Sequence, residues 1–261
     1  MQAPKPIQSS KNPQYKNLVR LFQKARERKK TGLFVVEGAR EMQRAVVSGY
    51  ELQQLWLRAD TEPPSDMSCD LSYQLQASLF DKITQRGGSV ALLGVFRSKI
   101  TALTDLDLSQ TARILVAEAP EKPGNTGALL RTAAAAGLDA VLIANPKSDL
   151  YNPQVIRNSL GGIFTLPVVQ EESATIIRFL KENKFFTVAA ALTKKSVPYN
   201  EIKYPQPLAI VVGTEAQGLE EIWLKSADIC VTIPMQAPID SLNVSVAAGI
   251  LVFHSLNSSS F

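Results

Sequence analysis

Residues 229–251 read ICVTIPMQAPIDSLNVSVAAGIL. Alternating apolar positions (Ile229, Val231, Ile233) stop at Pro234, a polar loop with a second breaker at Pro238 follows, and a regular apolar pattern resumes at Leu242. That is strand, loop, helix. Ser241 and Asn243 stand where the loop becomes the helix, beside backbone N–H groups that lack intrahelical partners. Such a corner can grip a polar ligand. It can equally be a plain cap, with Ser241 as the N-cap of a buried Val/Ala-rich helix, and this stretch alone does not separate the two.

The same alternation continues upstream. Strands are expected at 114–117, 140–143, 165–169, 186–191, 208–212 and 229–233, with helices near 126–136, 153–160, 173–182, 219–226 and 242–254. Strands and helices in this order predict a parallel-sheet α/β domain, whose ligands collect outside the carboxyl ends of the strands. Two more loops at such ends carry small and polar residues. In KPGNTGALLRTA (122–133), Gly124 and Gly127 permit close backbone approach, and Arg131 lies between leucine and a run of small residues, where a guanidinium needs a specific partner. In VGTEAQGL (212–219), Glu215 sits between two glycines just after an apolar strand; a plain turn is the bland alternative.

The chain before residue 97 alternates on a smaller scale. Residues 1–10, rich in Pro, Gln and Ser, are expected to be disordered. Asn12-Pro13 opens a helix with Tyr15, Leu18, Val19, Phe22 and Ala25 as its apolar stripe and Gly32 as its end. Strands near 33–36, 52–57 and 90–96 follow, with a helix closed by Gly49, a loop over 59–70, and a helix from a Ser78/Asp81 capping box to about Arg86. The expected domains are therefore 11–96 and 111–257, joined by a linker over 97–110.

Charge is unevenly placed. The 261 residues carry a net +4, but between Lys11 and Arg44 ten Lys/Arg face three Glu, a local +7 that leaves −3 for the rest. Clustered cations (Arg26, Arg28, Lys29, Lys30 and Arg40 among them) are the footprint of a polyanion, RNA before others; a solvated helix face is the alternative. No apolar leader and no run of about 18 apolar residues is present, so a cytoplasmic protein without a membrane span is expected. Cys69 and Cys230 form no metal-spaced pair, so no metal is expected. The glycines match neither a dinucleotide fingerprint nor a P-loop, and with His254 as the only histidine a Ser–His–Asp hydrolase is hard to build.

In order and spacing, Asn125-Thr-Gly-Ala-Leu-Leu-Arg131, Gly213-Thr-Glu215-Ala-Gln-Gly218-Leu and Ile233-Pro-Met-Gln-Ala-Pro-Ile-Asp-Ser241-Leu-Asn243 resemble the three motifs of the SpoU (TrmH-like) RNA ribose 2′-O-methyltransferases of the SPOUT superfamily. The likeness covers roughly 110–256. Residues 9–96, with Lys-Asn-Pro early and Phe34-Val-Val-Glu-Gly38 later, look like the small substrate-binding domain, of ribosomal-protein type, that precedes the catalytic domain in rRNA-modifying members. The resemblance implies an α/β fold whose C-terminal SPOUT domain has a parallel sheet and a deep trefoil knot, a device no sequence period reveals. It implies S-adenosylmethionine as methyl donor, a homodimer, and 23S (large-subunit) rRNA as the target, with tRNA as the alternative.

By motif position the resemblance places Asn125, Arg131, Glu215, Ser241 and Asn243 in the catalytic constellation, with parts supplied across the dimer. It places Leu192, Thr193, Gly213, Ile233, Met235 and Leu242 around the donor. Arg131 keeps two roles open: the base that takes the 2′-hydroxyl proton, as family mechanisms have it, or a clamp on the target phosphate, since a guanidinium stays protonated. Departures from the usual pattern are modest: Glu118 where many relatives carry Asp, Thr214 in place of a frequent Asn, and Asn158 and Gly162 in the intermediate Arg/Ser/Gly segment. A non-catalytic RNA-binding relative would need damaged motifs, and a small-molecule methyltransferase would not need the basic first domain.

Overall fold

Asn12 and Pro13 begin the first helix in the computed structural model, which describes residues 3–257 apart from 63, 65, 66, 68, 85–89, 215, 216, 239 and 240. The Asn12 side chain accepts from the Gln14 amide at 2.8 Å, and Tyr15, Leu18, Leu21 and Phe22 bury one face of α1 (Pro13–Gln23). The helix breaks at Lys24, before the expected end at Gly32, and restarts as α2 (Ala25–Thr31), which Gly32 closes in the left-handed conformation. Composition accounts for the break: ARERKKT offers no apolar stripe to hold it in line with α1, and buries Arg28 alone.

Two compact units result, one comprising residues up to Lys99 together with Asp149–Thr165, the other Ile100–Ser148 and the chain from Leu166 onward. In the first, β1 (Lys5–Ile7), β2 (Leu33–Glu37), β3 (Leu52–Arg58), β4 (Ser72–Leu75) and β5 (Leu92–Arg97) form a sheet in the order β1-β4-β3-β5-β2. Strands β1, β4 and β3 run parallel; β5 pairs antiparallel with both β3 and β2. Helix α3 (Ala39–Val47) and the short α4 (Ala77–Phe80) complete it. The segment expected to be disordered thus contains a strand: β1 lies at the sheet edge, where Pro6 is tolerated, and Ile7 is buried. Three residues are too few to show a period. The helix expected from a Ser78/Asp81 capping box is instead the single turn α4, with Gln76 at its N-cap and Asp81 at its C-cap; residues 81–83 continue as turns, and Arg86 lies outside the described residues.

The second unit is built on β6 (Arg113–Glu118), α5 (Pro123–Ala135) and β7 (Ala140–Ala144). The chain then supplies α6 (Pro153–Asn158) to the first unit and returns through β8 (Val168–Glu171), α7 (Ser173–Glu182), β9 (Phe186–Ala190), β10 (Val197–Pro198), β11 (Leu208–Val212), α8 (Glu221–Ser226), β12 (Ile229–Thr232) and α9 (Val244–Asn257). Seven strands in the order β10-β12-β9-β11-β6-β7-β8 pair in parallel throughout. The central strands LAIVV and AVLIA are buried at every position, as strands covered on both faces must be.

Residues 149–165 differ from the expected division, which left them with the second domain. Tyr151 stacks on Phe34 with ring centroids 4.3 Å apart, Phe164 meets Tyr50 edge-on at 5.0 Å, and Arg28 Nε donates to Asp149 at 2.5 Å. These are contacts between residues distant in sequence, invisible to any local pattern. Within the same stretch, Gly162–Phe164 forms a short helical turn capped by Thr165, and the strand expected from 165 starts only at Val168.

Candidate active site

Because all seven strands of the second unit run parallel, the loops after β9, β11 and β12 leave the same edge of the sheet. Gly213 follows the last residue of β11, and a Cβ there would lie 2.3 Å from the Gly218 carbonyl carbon and oxygen. Only glycine lets the two backbones approach so closely. Thr214 and Gly218 exchange both backbone hydrogen bonds (3.1 and 3.0 Å), and the Thr214 hydroxyl accepts from the Gln217 amide. Glu215 lies outside the described residues.

At the third loop the cap is Asn243: its Oδ1 accepts from the Ser245 amide at 3.0 Å, and its backbone carbonyl accepts from Val246 and Ala247. The Ser241 alternative falls away as a cap, because α9 starts at Val244 and not at Leu242. A cavity of about 540 Å³ opens beside this loop, lined by Leu192, Gly213, Ile233, Met235, Ser241 and Leu242 among others. Five of the six residues expected around a donor line it. Thr193 does not; its hydroxyl and amide meet Ser196 Oγ at 2.9 Å, closing the turn after β9. Ala190, Thr232, Ala247 and Leu251 also line the cavity and went unanticipated, since small or aliphatic residues in a strand or helix carry no local signal.

Asn125, in the first turn of α5, accepts from the Asn243 side-chain amide at 3.2 Å, so two of the three motifs touch directly. Asn125 also lines a second, smaller cavity of about 80 Å³ that shares Val212, Gly213, Thr214 and Val244 with the first. Arg131 is not brought to this corner. It stands six residues further along α5, about 9 Å down the axis and about 120° around it from Asn125, and is exposed.

A buried polar cluster adjoins the smaller cavity. Glu118, the last residue of β6 and 2% exposed, accepts from the Glu220 amide at 2.8 Å through Oε2 and from the Ser173 hydroxyl at 3.3 Å through Oε1. Ser173 Oγ in turn accepts from the Trp223 indole N–H (3.0 Å) and the Asn145 side-chain amide (2.9 Å). Burial pushes the Glu118 carboxyl above the usual carboxylate range, and the Glu220 N–H pulls it partly back.

In the first unit, Arg26, Lys29, Lys30 and Arg40 are exposed. Arg28, expected with them, is 4% exposed, its Nε bound to Asp149 and its Nη1 to Leu21 O and Phe22 O inside the fold. Glu37 and Glu41 are also buried, which leaves the 11–44 surface more basic than its net charge. Among the described residues no three His, Cys, Asp or Glu gather as a metal site requires, and no helix is long and apolar enough to cross a membrane.

A profile of the SpoU rRNA Methylase family matches residues 112–253, and one of the MRM3-like substrate binding domain matches residues 12–94. Over 251 residues the chain is 31% identical to the 23S rRNA (guanosine(2553)-2′-O)-methyltransferase RlmP of Bacillus subtilis (strain 168), with 96% of this chain and 98% of that protein covered. Among solved structures it is similar to an RNA 2′-O ribose methyltransferase (36% identity, TM-score 0.85, 98% of this chain and 100% of that one). It is also similar to an AdoMet-bound rRNA methyltransferase from Sinorhizobium meliloti (25% identity, TM-score 0.87, 97% of each chain).

Proposed function

This chain belongs to the SpoU rRNA Methylase family, and from that membership we propose that it transfers a methyl group from S-adenosylmethionine to a ribose 2′-hydroxyl of large-subunit rRNA. One observation carries the reading: the larger cavity and the Asn125–Asn243 corner meet at the walls they share, Val212 to Thr214 and Val244. A donor in one and a ribose at the other would face each other across that junction.

The cavity fits the donor. Its volume lies within the range of ligand sites, Gly213 and Gly218 carry no side chain to keep a ligand off the backbone, and Leu192, Ile233, Met235 and Leu242 supply apolar walls. When bound, S-adenosylmethionine supplies a sulfonium methyl already activated for transfer. The protein is left with alignment and one proton. Asn125 and Asn243, locked to each other, orient the ribose hydroxyl; Ser241 holds the donor-side loop; the planar guanidinium of Arg131 grips the target phosphate. Glu215 we keep in the constellation by motif position.

We assign Arg131 to the site of a partner copy. Its exposure and distance from Asn125 support this, as do Val246 and Phe253 on the neighbouring α9, about half exposed and seven residues apart on one helical face. The knot is part of the same reading: β12 lies between β9 and β10, which are consecutive in sequence, so their connection must cross its end. The first unit, with Arg26, Lys29, Lys30 and Arg40 outward, would grip RNA through phosphates, as the ribosomal-protein type of domain expected from sequence would.

The reaction class is tested by methylating RNA with labelled donor and hydrolysing the product in alkali. Label retained in alkali-resistant dinucleotides is the expected result, because a 2′-O-methyl blocks cleavage. Label released on a methylated base would overturn it.

A further inference from the structure

We infer that Glu118 is a positioning residue for the methyl donor, its buried carboxylate fixing the loop that carries Gly213 and Gly218 to the end of β6. The inference rests on the donor assignment above. Glu118 follows Ala117, which pairs with Val212, so the carboxylate projects beside the first residues after β11. Its Oε2 takes the Glu220 amide, the group that ends the Gly213–Gly218 loop and leads into α8. The loop is thus tied at both ends: by the β11 ladder before Gly213 and by Glu118 after Leu219.

The donor count shows why a carboxylate is required. Ser173 Oγ already accepts from Trp223 and Asn145, so its hydroxyl hydrogen is spent on Glu118 Oε1, and the Glu220 N–H is spent on Oε2. Both Glu118 oxygens must accept. Glutamine has the same shape but one acceptor, so it can satisfy Glu220 or Ser173 and sets its NH₂ against the other donor. Two backbone hydrogen bonds tie Gly218 to Thr214, so a shift at Glu220 is passed through Gly218 to Thr214 and Gly213. Ser173 provides the contrast. Its removal unpairs Trp223 and Asn145 but leaves the bond from Glu220 to Glu118.

The test compares Glu118→Gln and Ser173→Ala with the full-length wild type, reading S-adenosylmethionine Kd by calorimetry, KM and kcat for methyl transfer, and the melting temperature. Glu118→Gln should weaken donor binding about tenfold, the loss expected for one hydrogen bond to a charged group, with KM for the donor rising in parallel and kcat at saturation falling less. Ser173→Ala should lower the melting temperature while donor Kd stays within about twofold of wild type. If Glu118→Gln does not fold, Glu118→Asp, which keeps two acceptors one methylene short, should show the same selective loss of donor affinity to a smaller degree. Unchanged donor Kd in a folded Glu118 variant, or equal losses of affinity in Glu118→Gln and Ser173→Ala, would overturn the inference and leave the proposed function standing. A wild-type protein that binds no donor would overturn both.

Discussion

The Asn243 side chain faces two ways: its amide donates to Asn125 Oδ1 at 3.2 Å, while its own Oδ1 caps α9 by accepting from the Ser245 amide. One residue therefore starts a helix and ties it to the first turn of α5, far away in sequence. Serine caps helices about as well as asparagine but is too short to reach Asn125. Asn243→Ser should keep stability within about 0.5 kcal/mol of wild type while methyl transfer falls about tenfold. Thermal denaturation and initial rates separate the two; a full-rate variant would remove the bridge from the mechanism.

Arg28 and its exposed neighbours should behave oppositely. Arg28→Ala strands Asp149 in the fold, and breaking a buried pair costs about 3–5 kcal/mol, so the variant should melt far below wild type. Arg26, Lys29 and Lys30 changed singly to Ala should leave the melt unchanged and each reduce the slope of log RNA affinity against log salt by about one. Filter binding over a salt series reads this, and undiminished slopes in all three would move the RNA away from α2.

The alternating pattern was enough to place most of the parallel sheet, because β6, β7, β9 and β11 are mostly apolar runs too short for a core helix and set between helical stretches. The corner of Asn125, Gly213 and Asn243 was legible from motif order. What escaped was non-local. Tyr151 and Phe164 join the first unit through Phe34 and Tyr50, more than 100 positions away. β1 and β10 are two or three residues long and exist only through their partners. Arg28 reads as one cation among several until Asp149 is seen beside it.

Two damaged chains should repair each other if Arg131 serves its partner's site. Arg131→Ala and Asn125→Ala, each inactive alone, would form mixed dimers with one intact site of two. Mixing them after unfolding and refolding should return about a quarter of wild-type activity. No recovery would place Arg131 in its own chain's site or outside the reaction.

Stability should depend on pH through Glu118. A carboxyl whose folded-state pKa is raised adds stability that is full below its unfolded value, about 4.3, and is lost as pH rises through the folded value. Glu220, the charged neighbour set against it, acts in the same direction. The stability of wild type relative to Glu118→Gln should therefore fall between about pH 4 and the folded pKa, as read by urea denaturation. A difference rising over that interval would contradict the assigned shift.

The central claim is met most directly by incubating the protein with labelled S-adenosylmethionine and, separately, total rRNA and total tRNA, with Arg131→Ala as control. Label in large-subunit rRNA that disappears in the variant is the result expected here. Label confined to tRNA would contradict the proposed target, and no transfer to either pool by a protein that binds the donor would contradict the substrate assignment itself.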